Sequence, residues 1–192
     1  MVGAPAGAQA VTAAVPTIET ARLRLRGHGV ADFGDCAAMW ADPAVVRHIG
    51  GRPFAAEETW AKILRYAGLW SLLGYGYWAI EAKATGRYVG DVGFADFKRE
   101  VQPAFDGAPE IGWALAPWAR GVGFATEAVG AATGWGDGHF AAPATVCMID
   151  PDNAASIRVA PACGYREYAR ATYKNQPTIL FRRNVATSSR SC

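Results

Sequence analysis

The sequence predicts one α+β domain, and three observations lead to that prediction. The chain has 192 residues, 51% hydrophobic and 19% charged, which suits a single folded domain with one core. Strand-like and helix-like segments follow one another in the order strand, two helices, three strands, helix, strand, helix, two strands. No linker or internal repeat interrupts that order. We therefore expect about seven strands and about four helices in one domain spanning residues 18–183.

Each element is predicted from its local sequence pattern. Residues 22–26 alternate polar and apolar side chains, which is typical of a half-buried strand. Asp42-Pro43 ends the first helix, and acids in the early turn favour the start of the second. Gly164 closes the last helix. The predicted helices cover 30–41, 55–72, about 15 residues from Gly123 onward, and a short segment after Asn153. The predicted strands cover 22–26, 75–81, 88–97, 110–115, 145–149, 165–171 and 176–183.

The composition excludes several functional classes. The 19 basic and 17 acidic residues are scattered along the chain, so no basic block supports nucleic-acid binding. The four cysteines match no zinc spacing and are typical of reduced thiols, so we expect no metal and a cytoplasmic location. No apolar run approaches the roughly 20 residues that a membrane span needs, so no membrane partner is expected. Residues 1–17 and 184–192 are predicted to be tails, the first of them disordered.

The strongest chemical signal is a glycine-rich passage at residues 116–128. A strand ends near Pro117, two glycines allow a tight turn, and a helix begins near Gly123. A helix start presents unpaired backbone N–H groups and the positive end of the helix dipole, which together suit a pyrophosphate. The passage lacks the ending of a nucleoside-triphosphate P-loop and the context of a dinucleotide fingerprint. On the pattern alone, an ordinary glycine-rich turn before a helix remains the alternative.

Further segments stand in a definite order around this passage. They are ETARLRLR at 19–26, DPAV at 42–45, EIGWAL at 110–115, RGVGFATEA at 120–128, DPDNAASIRV at 150–159 and CGY at 163–165. Together they resemble the GNAT N-acetyltransferase superfamily, especially its RimJ/RimL-like branch, over roughly residues 18–183. The resemblance implies a GNAT fold, in which a central, mostly antiparallel mixed sheet is splayed between its fourth and fifth strands.

The resemblance also implies acetyl-coenzyme A (acetyl-CoA) as co-substrate, with its pantetheine arm lying in the gap of the splayed sheet. Asn153 would hold the arm through its side-chain amide, although an N-cap for the following helix is a second role that Asn fills well. Both roles are compatible, because capping uses the side-chain oxygen and leaves the amide donors free. Backbone of Trp113, Ala114 and Leu115 would pair with the arm, and the pyrophosphate would lie on Arg120, Gly121, Val122, Gly123, Phe124, Ala125 and Thr126.

Candidate catalytic groups are few. Glu110 starts the strand that would flank the thioester, so we favour it as the general base, against a solvent-facing acid as the alternative. Glu127 is the rival carboxylate, but its place in the first helical turn favours a structural role. Many GNAT enzymes carry a Tyr acid seven residues after the Asn, and here that position is Ala160. Ser156 is the remaining hydroxyl on that helix, predicted to hydrogen-bond the leaving sulfur. Pro161 is expected to kink the helix or end it early.

These residues predict an N-acetyltransferase that moves acetyl directly from acetyl-CoA to a primary amine. The resemblance suggests the α-amine of a protein N-terminus, such as that of a ribosomal protein, as acceptor. The alternatives are a small amine (polyamine, amino acid or antibiotic) and a non-catalytic acyl-CoA-binding module. The resemblance also allows a homodimer. Trp40, Trp60 and Trp70 would border the acceptor pocket, although core packing is the preferred interpretation of their pattern.

Overall fold

An eight-stranded mixed sheet runs through the centre of the molecule in the computed structural model, which describes residues 14–185. The strand order is β1-β2-β3-β4-β5-β6-β8-β7, and all neighbours are antiparallel except β5 and β6. The strands are β1 Ile18–Glu19, β2 Leu23–Arg26, β3 Tyr77–Ala82, β4 Tyr88–Ala95, β5 Glu110–Leu115, β6 Ala144–Ile149, β7 Arg166–Tyr173 and β8 Gln176–Asn184.

Five helices cover the two faces of this sheet. The helices are α1 Phe33–Trp40, α2 Pro43–Val46, α3 Ala56–Leu73, α4 Phe124–His139 and α5 Ala154–Ala162. On one face, Trp40 and Ile63 of α1 and α3 pack against Ala79 and Ala114 of the strands. On the other face, the small buried residues of α4 and α5 pack against a core that includes Trp78.

The predicted fold class is confirmed, and the element count is slightly larger than predicted. The eighth strand is β1, whose two residues pair with Leu25 and Arg24 of β2. The fifth helix is the single turn α2. Asp42-Pro43 is predicted only to end the first helix, but it also starts α2. Asp42 is the N-cap of α2, because its Oδ1 atom accepts a 2.7 Å hydrogen bond from the Ala44 N–H. The other boundaries differ from prediction by a few residues at most.

The packed part of the chain begins earlier than the predicted boundary at residue 18. Val15 lies against the core, and the Pro16 carbonyl accepts a 2.8 Å hydrogen bond from the Trp78 indole. At the other end, β8 runs to Asn184. The rest of both predicted tails lies outside the described residues.

The sheet splays between β5 and β6, as predicted. These are the fourth and fifth of the seven predicted strands, because β1 adds one to the numbering. The two strands share only one register pair, Glu110 with Val146, and beyond it they diverge. Since β5 is fully paired with β4 on its other side, its edge facing β6 has no strand partner from Ile111 onward. The result is a gap that is closed at Glu110 and open at the end where α4 begins.

Helix α5 ends one residue after Pro161, the residue expected to kink the helix or end it early. The helix continues past the proline to Ala162, and Gly164, with a φ of 86°, closes the last turn. The Gly164 N–H donates to the Pro161 carbonyl, and the Tyr165 N–H donates to the Ala160 carbonyl. Pro161 stands in the last turn and removes one backbone N–H donor, whereas Asn153 and Ser156 stand at the start of the helix.

Most tryptophans are core residues, in line with the preferred interpretation. Trp78, Trp40 and Trp70 are buried, and Trp113 is partly buried against the same core as Trp78. Trp60 differs, because 37% of it is exposed on α3. Within residues 14–185, no helix is both long and apolar enough to cross a membrane.

Candidate active site

A cradle of backbone N–H groups lies where the glycine-rich passage enters α4. Gly121 and Gly123 have φ angles of 77° and 86°, in the left-handed region that glycine adopts without strain. This conformation turns the chain so that the N–H groups of residues 121–126 donate to no other group in the described part of the chain. Six consecutive free donors at the positive end of α4 suit an anion with several oxygens, such as a pyrophosphate.

Arg22 borders this cradle, although the sequence analysis did not assign it to the site. Its guanidinium donates to the Val122 carbonyl at 2.8 Å and pairs with Glu127 at 2.7 Å. A Cβ atom on Gly123 would lie 3.3 Å from Arg22 Nη2, so a cation stands directly beside the turn. Glu127 also accepts a 2.6 Å hydrogen bond from the Thr20 hydroxyl. Glu127 thus ties α4 to the chain ahead of β2, which is the structural role predicted for it.

The predicted phosphate residues differ in what their side chains do. The Arg120 guanidinium donates to the carbonyls of Leu115 and Ala44, at 3.3 and 3.2 Å, so it braces the turn against β5 and α2. Val122 is 51% exposed at the tip of the turn. Phe124 packs partly against the core under the Arg22 guanidinium. Contact of these residues with a pyrophosphate stays a prediction. The backbone N–H groups of the turn, more than the side chains, would make that contact.

The three predicted pantetheine-binding residues lie on the open stretch of β5. Trp113, Ala114 and Leu115 pair with Val92, Asp91 and Gly90 of β4 on one side, and their other edge faces the gap. An extended chain with amide groups would fit between the diverging strands by pairing with that edge.

Asn153 and Ser156 stand at the start of α5, across the gap from β5. The Asn153 side-chain oxygen accepts a 3.1 Å hydrogen bond from the Ser156 N–H, so Asn153 is the N-cap of the helix. The amide nitrogen of Asn153 and the hydroxyl of Ser156 make no hydrogen bond within residues 14–185. Ala160 is fully buried in the core, so this position carries no polar group toward the gap.

Glu110 lies at the closed end of the gap and is buried, with only 7% of the residue exposed. Arg99 forms a two-pronged ion pair with its carboxylate, in which Nη2 lies 2.9 Å from Oε1. Burial raises the pKa of Glu110 above its ordinary value, and the Arg99 guanidinium offsets this only in part. The solvent-facing alternative for Glu110 is therefore wrong. The carboxylate retains lone pairs beyond the two that Arg99 occupies, so it can also accept from a substrate or a water.

A cleft of about 280 Å³ adjoins Glu110 on the loop between β4 and β5. Its charged lining comprises three acids and two bases: Asp96, Asp106, Glu110, Lys98 and Arg99. The cleft is partly open to solvent, and Glu110 is part of its lining. No group of three or more potential metal ligands occurs among the described residues.

A buried polar network that was not predicted from the sequence is centred on Asp91 of β4, the strand next to β5. The Asp91 carboxylate accepts hydrogen bonds from Trp40 at 3.0 Å and Tyr88 at 2.5 Å, and it lies 2.7 Å from His28 Nε2. Burial alone would raise the pKa of Asp91, but these partners and the charge of Lys62 outweigh it, so the pKa lies below its ordinary value. His28 and Trp40 are remote from Asp91 in sequence, whereas Tyr88 is three residues away on β4, so no local pattern predicts the whole network.

An N–H cradle at the open end of a splayed sheet and a buried carboxylate at its closed end define the class of acyl-CoA-dependent N-acetyltransferases. The acetyltransferase (GNAT) domain family matches residues 22–166, and the chain belongs to that family. YkkB of Bacillus subtilis is 34% identical over 113 residues, which cover 57% of this chain and 63% of that protein. The N-acetyltransferase p20 of Bacillus licheniformis is 26% identical over 152 residues, covering 79% and 83%.

Solved structures show the same architecture. A GNAT-family acetyltransferase from Bordetella pertussis superposes with a TM-score of 0.76 at 27% identity, covering 88% of this chain and 99% of that one. RimL, the ribosomal L7/L12 α-N-protein acetyltransferase, was solved with coenzyme A; it has a TM-score of 0.74 at 16% identity, covering 90% and 100%. The Vibrio cholerae spermidine N-acetyltransferase, solved with CoA and spermine, has a TM-score of 0.68 at 13% identity, covering 86% and 97%. The last two share the fold with this chain.

Proposed function

We propose that this protein transfers the acetyl group of acetyl-CoA directly to a primary amine, and that the acceptor is the α-amine at the N-terminus of a protein. The observation that carries the proposal is the gap between β5 and β6, with six free N–H donors at its open end and Glu110 at its closed end. A pyrophosphate on the cradle and a pantetheine arm along β5 would bring the thioester to the neighbourhood of Glu110.

In this mechanism the chain holds both substrates together, so that no covalent enzyme intermediate is needed. The neutral amine attacks the thioester carbon, a C–N bond forms and the C–S bond breaks. Glu110 takes the proton that the amine releases, directly or through a water. Ser156, across the gap, donates a hydrogen bond to the departing sulfur. Because burial raises the pKa of Glu110, its carboxylate is a stronger proton acceptor than an exposed carboxylate would be.

The cleft beside Glu110 supports the choice of acceptor. It is open to solvent, so the end of a polypeptide can enter while the rest of the chain stays outside. Lys98 pairs with Asp96 and Arg99 with Glu110, so Asp106 leaves the lining with an excess of one acid, which favours a cationic amine over a neutral one. A polyamine is the second candidate, because the same acidic excess would also attract a small polycation, and a spermidine acetyltransferase shares the fold.

An acceptor panel tests the proposal. Purified protein is incubated with acetyl-CoA and with peptides bearing free N-termini, the same peptides blocked at the N-terminus but containing Lys, spermidine, and free amino acids. Mass spectrometry identifies the acetylated nitrogen. We expect acetylation of free peptide N-termini only. Preferential acetylation of spermidine would replace the first acceptor by the second, and binding of acetyl-CoA without turnover on any amine would support the non-catalytic module instead.

A further inference from the structure

A tyrosine side chain reaches across the sheet to the strand that would flank the thioester. Tyr77, Gly93 and Gly112 are register partners in one row across β3, β4 and β5. A Cβ atom on Gly112 would lie 2.3 Å from the Tyr77 hydroxyl oxygen. The phenol therefore spans β4 and ends against the backbone of β5, in the space that glycine leaves free there.

The position of this hydroxyl is fixed from two sides. The ring of Tyr66, on α3, stacks on the Tyr77 ring with centroids 4.4 Å apart and planes 12° from parallel. Gly93 allows β3 to approach β4, because a Cβ atom on it would lie 2.3 Å from both the Gly76 carbonyl oxygen and the Tyr77 Cα. Two glycines and a stacked ring thus hold one hydroxyl at one place on β5.

That place is the closed end of the gap. Gly112 is two residues beyond Glu110, where the single register pair with β6 ends, and the two share a face of β5. Helix α5, which carries Ser156, packs beside α4 on the opposite face. Tyr77 and Ser156 therefore flank the gap from opposite faces.

We propose that the Tyr77 hydroxyl donates a hydrogen bond to the carbonyl oxygen of the bound acetyl thioester and stabilises the oxyanion that forms on it. The inference rests on the proposed function. When the amine nitrogen attacks the carbonyl carbon, the π electrons of the C=O bond move to this oxygen; they return when the C–S bond breaks and the thiolate leaves. Tyr77 keeps its proton throughout, since burial and the nearby Glu110 raise its pKa well above the ordinary value. A donor aimed at charge that develops in the transition state accelerates the step without taking part in the proton balance.

Two variants remove the contact in different ways. Tyr77→Phe keeps the ring and its stacking on Tyr66 but lacks the hydroxyl. Gly112→Ala keeps the hydroxyl but places a methyl group where it lies. Tyr75→Phe is the matched control, because Tyr75 packs against Phe140 and loses only a hydroxyl. Thermal unfolding of each variant establishes that it is folded.

We expect kcat to fall about 100-fold in Tyr77→Phe, with the KM for acetyl-CoA within about twofold of the wild type and Tyr75→Phe unchanged. Gly112→Ala should show the same loss. A binding measurement gives an independent readout: the 13C resonance of carbonyl-labelled acetyl-CoA should move downfield on binding to the wild type, and less in Tyr77→Phe. Equal kcat and equal carbonyl shifts in wild type and Tyr77→Phe would overturn the inference while leaving the proposed function standing. No acetyl-CoA binding by the wild type would overturn both.

Discussion

Two buried carboxylates lie on one face of the sheet, and their pKa values are shifted in opposite directions. The hydrogen-bond partners of each carboxylate explain the difference. Asp91 has Trp40, Tyr88 and His28 around it, which together stabilise the ionised form. Among the described residues, Glu110 is hydrogen-bonded by Arg99 alone, which only partly offsets the loss of water. The pKa of Asp91 is therefore lowered and the pKa of Glu110 is raised, so Glu110 binds a proton more strongly than Asp91 does. At the scale of single residues, this difference indicates a structural role for Asp91 and supports the proposed role of Glu110 as proton acceptor.

The role of Glu110 predicts a loss of rate without a loss of cofactor binding. We expect Glu110→Gln to lower kcat about 100-fold, because the amide cannot accept a proton, and to leave the Kd for acetyl-CoA unchanged. The wild-type kcat should rise with pH through the raised pKa of Glu110, since the deprotonated form is the active one. This acidic limb of the pH profile should disappear in Glu110→Gln.

The matched control is Glu100→Gln, which changes an exposed carboxylate on the neighbouring loop. It should keep both kcat and the acidic limb of the pH profile. A Glu110→Gln enzyme with full kcat would show that another group accepts the proton.

At the scale of elements, Asn153 has a capping function at the start of α5 and a proposed function in holding the pantetheine arm. The side-chain oxygen caps the helix, and the amide nitrogen makes no hydrogen bond within residues 14–185. The two functions are separable by substitution, because Ser also caps helices well but offers no amide donor.

We expect Asn153→Ala to lower the free energy of unfolding by about 1 kcal/mol, whereas Asn153→Ser should change it by only a few tenths. Both variants should weaken acetyl-CoA binding by about tenfold, which corresponds to one lost hydrogen bond of about 1.4 kcal/mol. Urea unfolding and calorimetric titration measure the two effects. If Asn153→Ser kept the wild-type affinity, the amide would have no role in holding the pantetheine arm.

The elements themselves were largely predictable, because their signals are local. Alternation predicted β2, and Gly164 predicted the end of α5. The single-turn α2 was missed, since Asp42-Pro43 is a signal both for the end of one helix and for the start of the next. The two-residue β1 was missed because a strand of that length has no periodicity of its own. Long-range contacts such as Arg22 at the glycine turn and Tyr77 at Gly112 depend on strand register, which local pattern does not encode.

At the scale of the whole molecule, Asp91 links the sheet to the helices above it. The carboxylate belongs to β4, whereas its donors come from α1, from the segment between β2 and α1, from Tyr66 of α3 at 3.5 Å, and from β4 itself. Because its folded pKa is lowered, Asp91 contributes stability at pH values above its unfolded pKa of about 3.9. That contribution is lost as the pH falls through the lower folded value.

We expect Asp91→Asn to lower the free energy of unfolding at pH 7 by about 3 kcal/mol, because the donors around a buried charge lose their partner. The variant should also lose less stability than the wild type between pH 5 and pH 3. Asp35→Asn, an exposed acid on α1, is the control and should change stability by less than about 0.5 kcal/mol. Denaturant titrations at several pH values measure both, and parallel stability curves for wild type and Asp91→Asn would contradict the assignment.

The proposed function requires the turn at Gly123 to hold the pyrophosphate of acetyl-CoA. Calorimetric titration of the protein with acetyl-CoA, repeated on Gly123→Glu, tests it most directly. The control is Gly74→Glu, which introduces the same side chain at a similar positive φ with open space around it, at the end of α3. We expect the wild type and Gly74→Glu to bind acetyl-CoA. For Gly123→Glu we expect a Kd at least about tenfold higher, because its carboxylate occupies the cradle and repels the phosphates. Absence of binding by the wild type, or undiminished binding by Gly123→Glu, would contradict it.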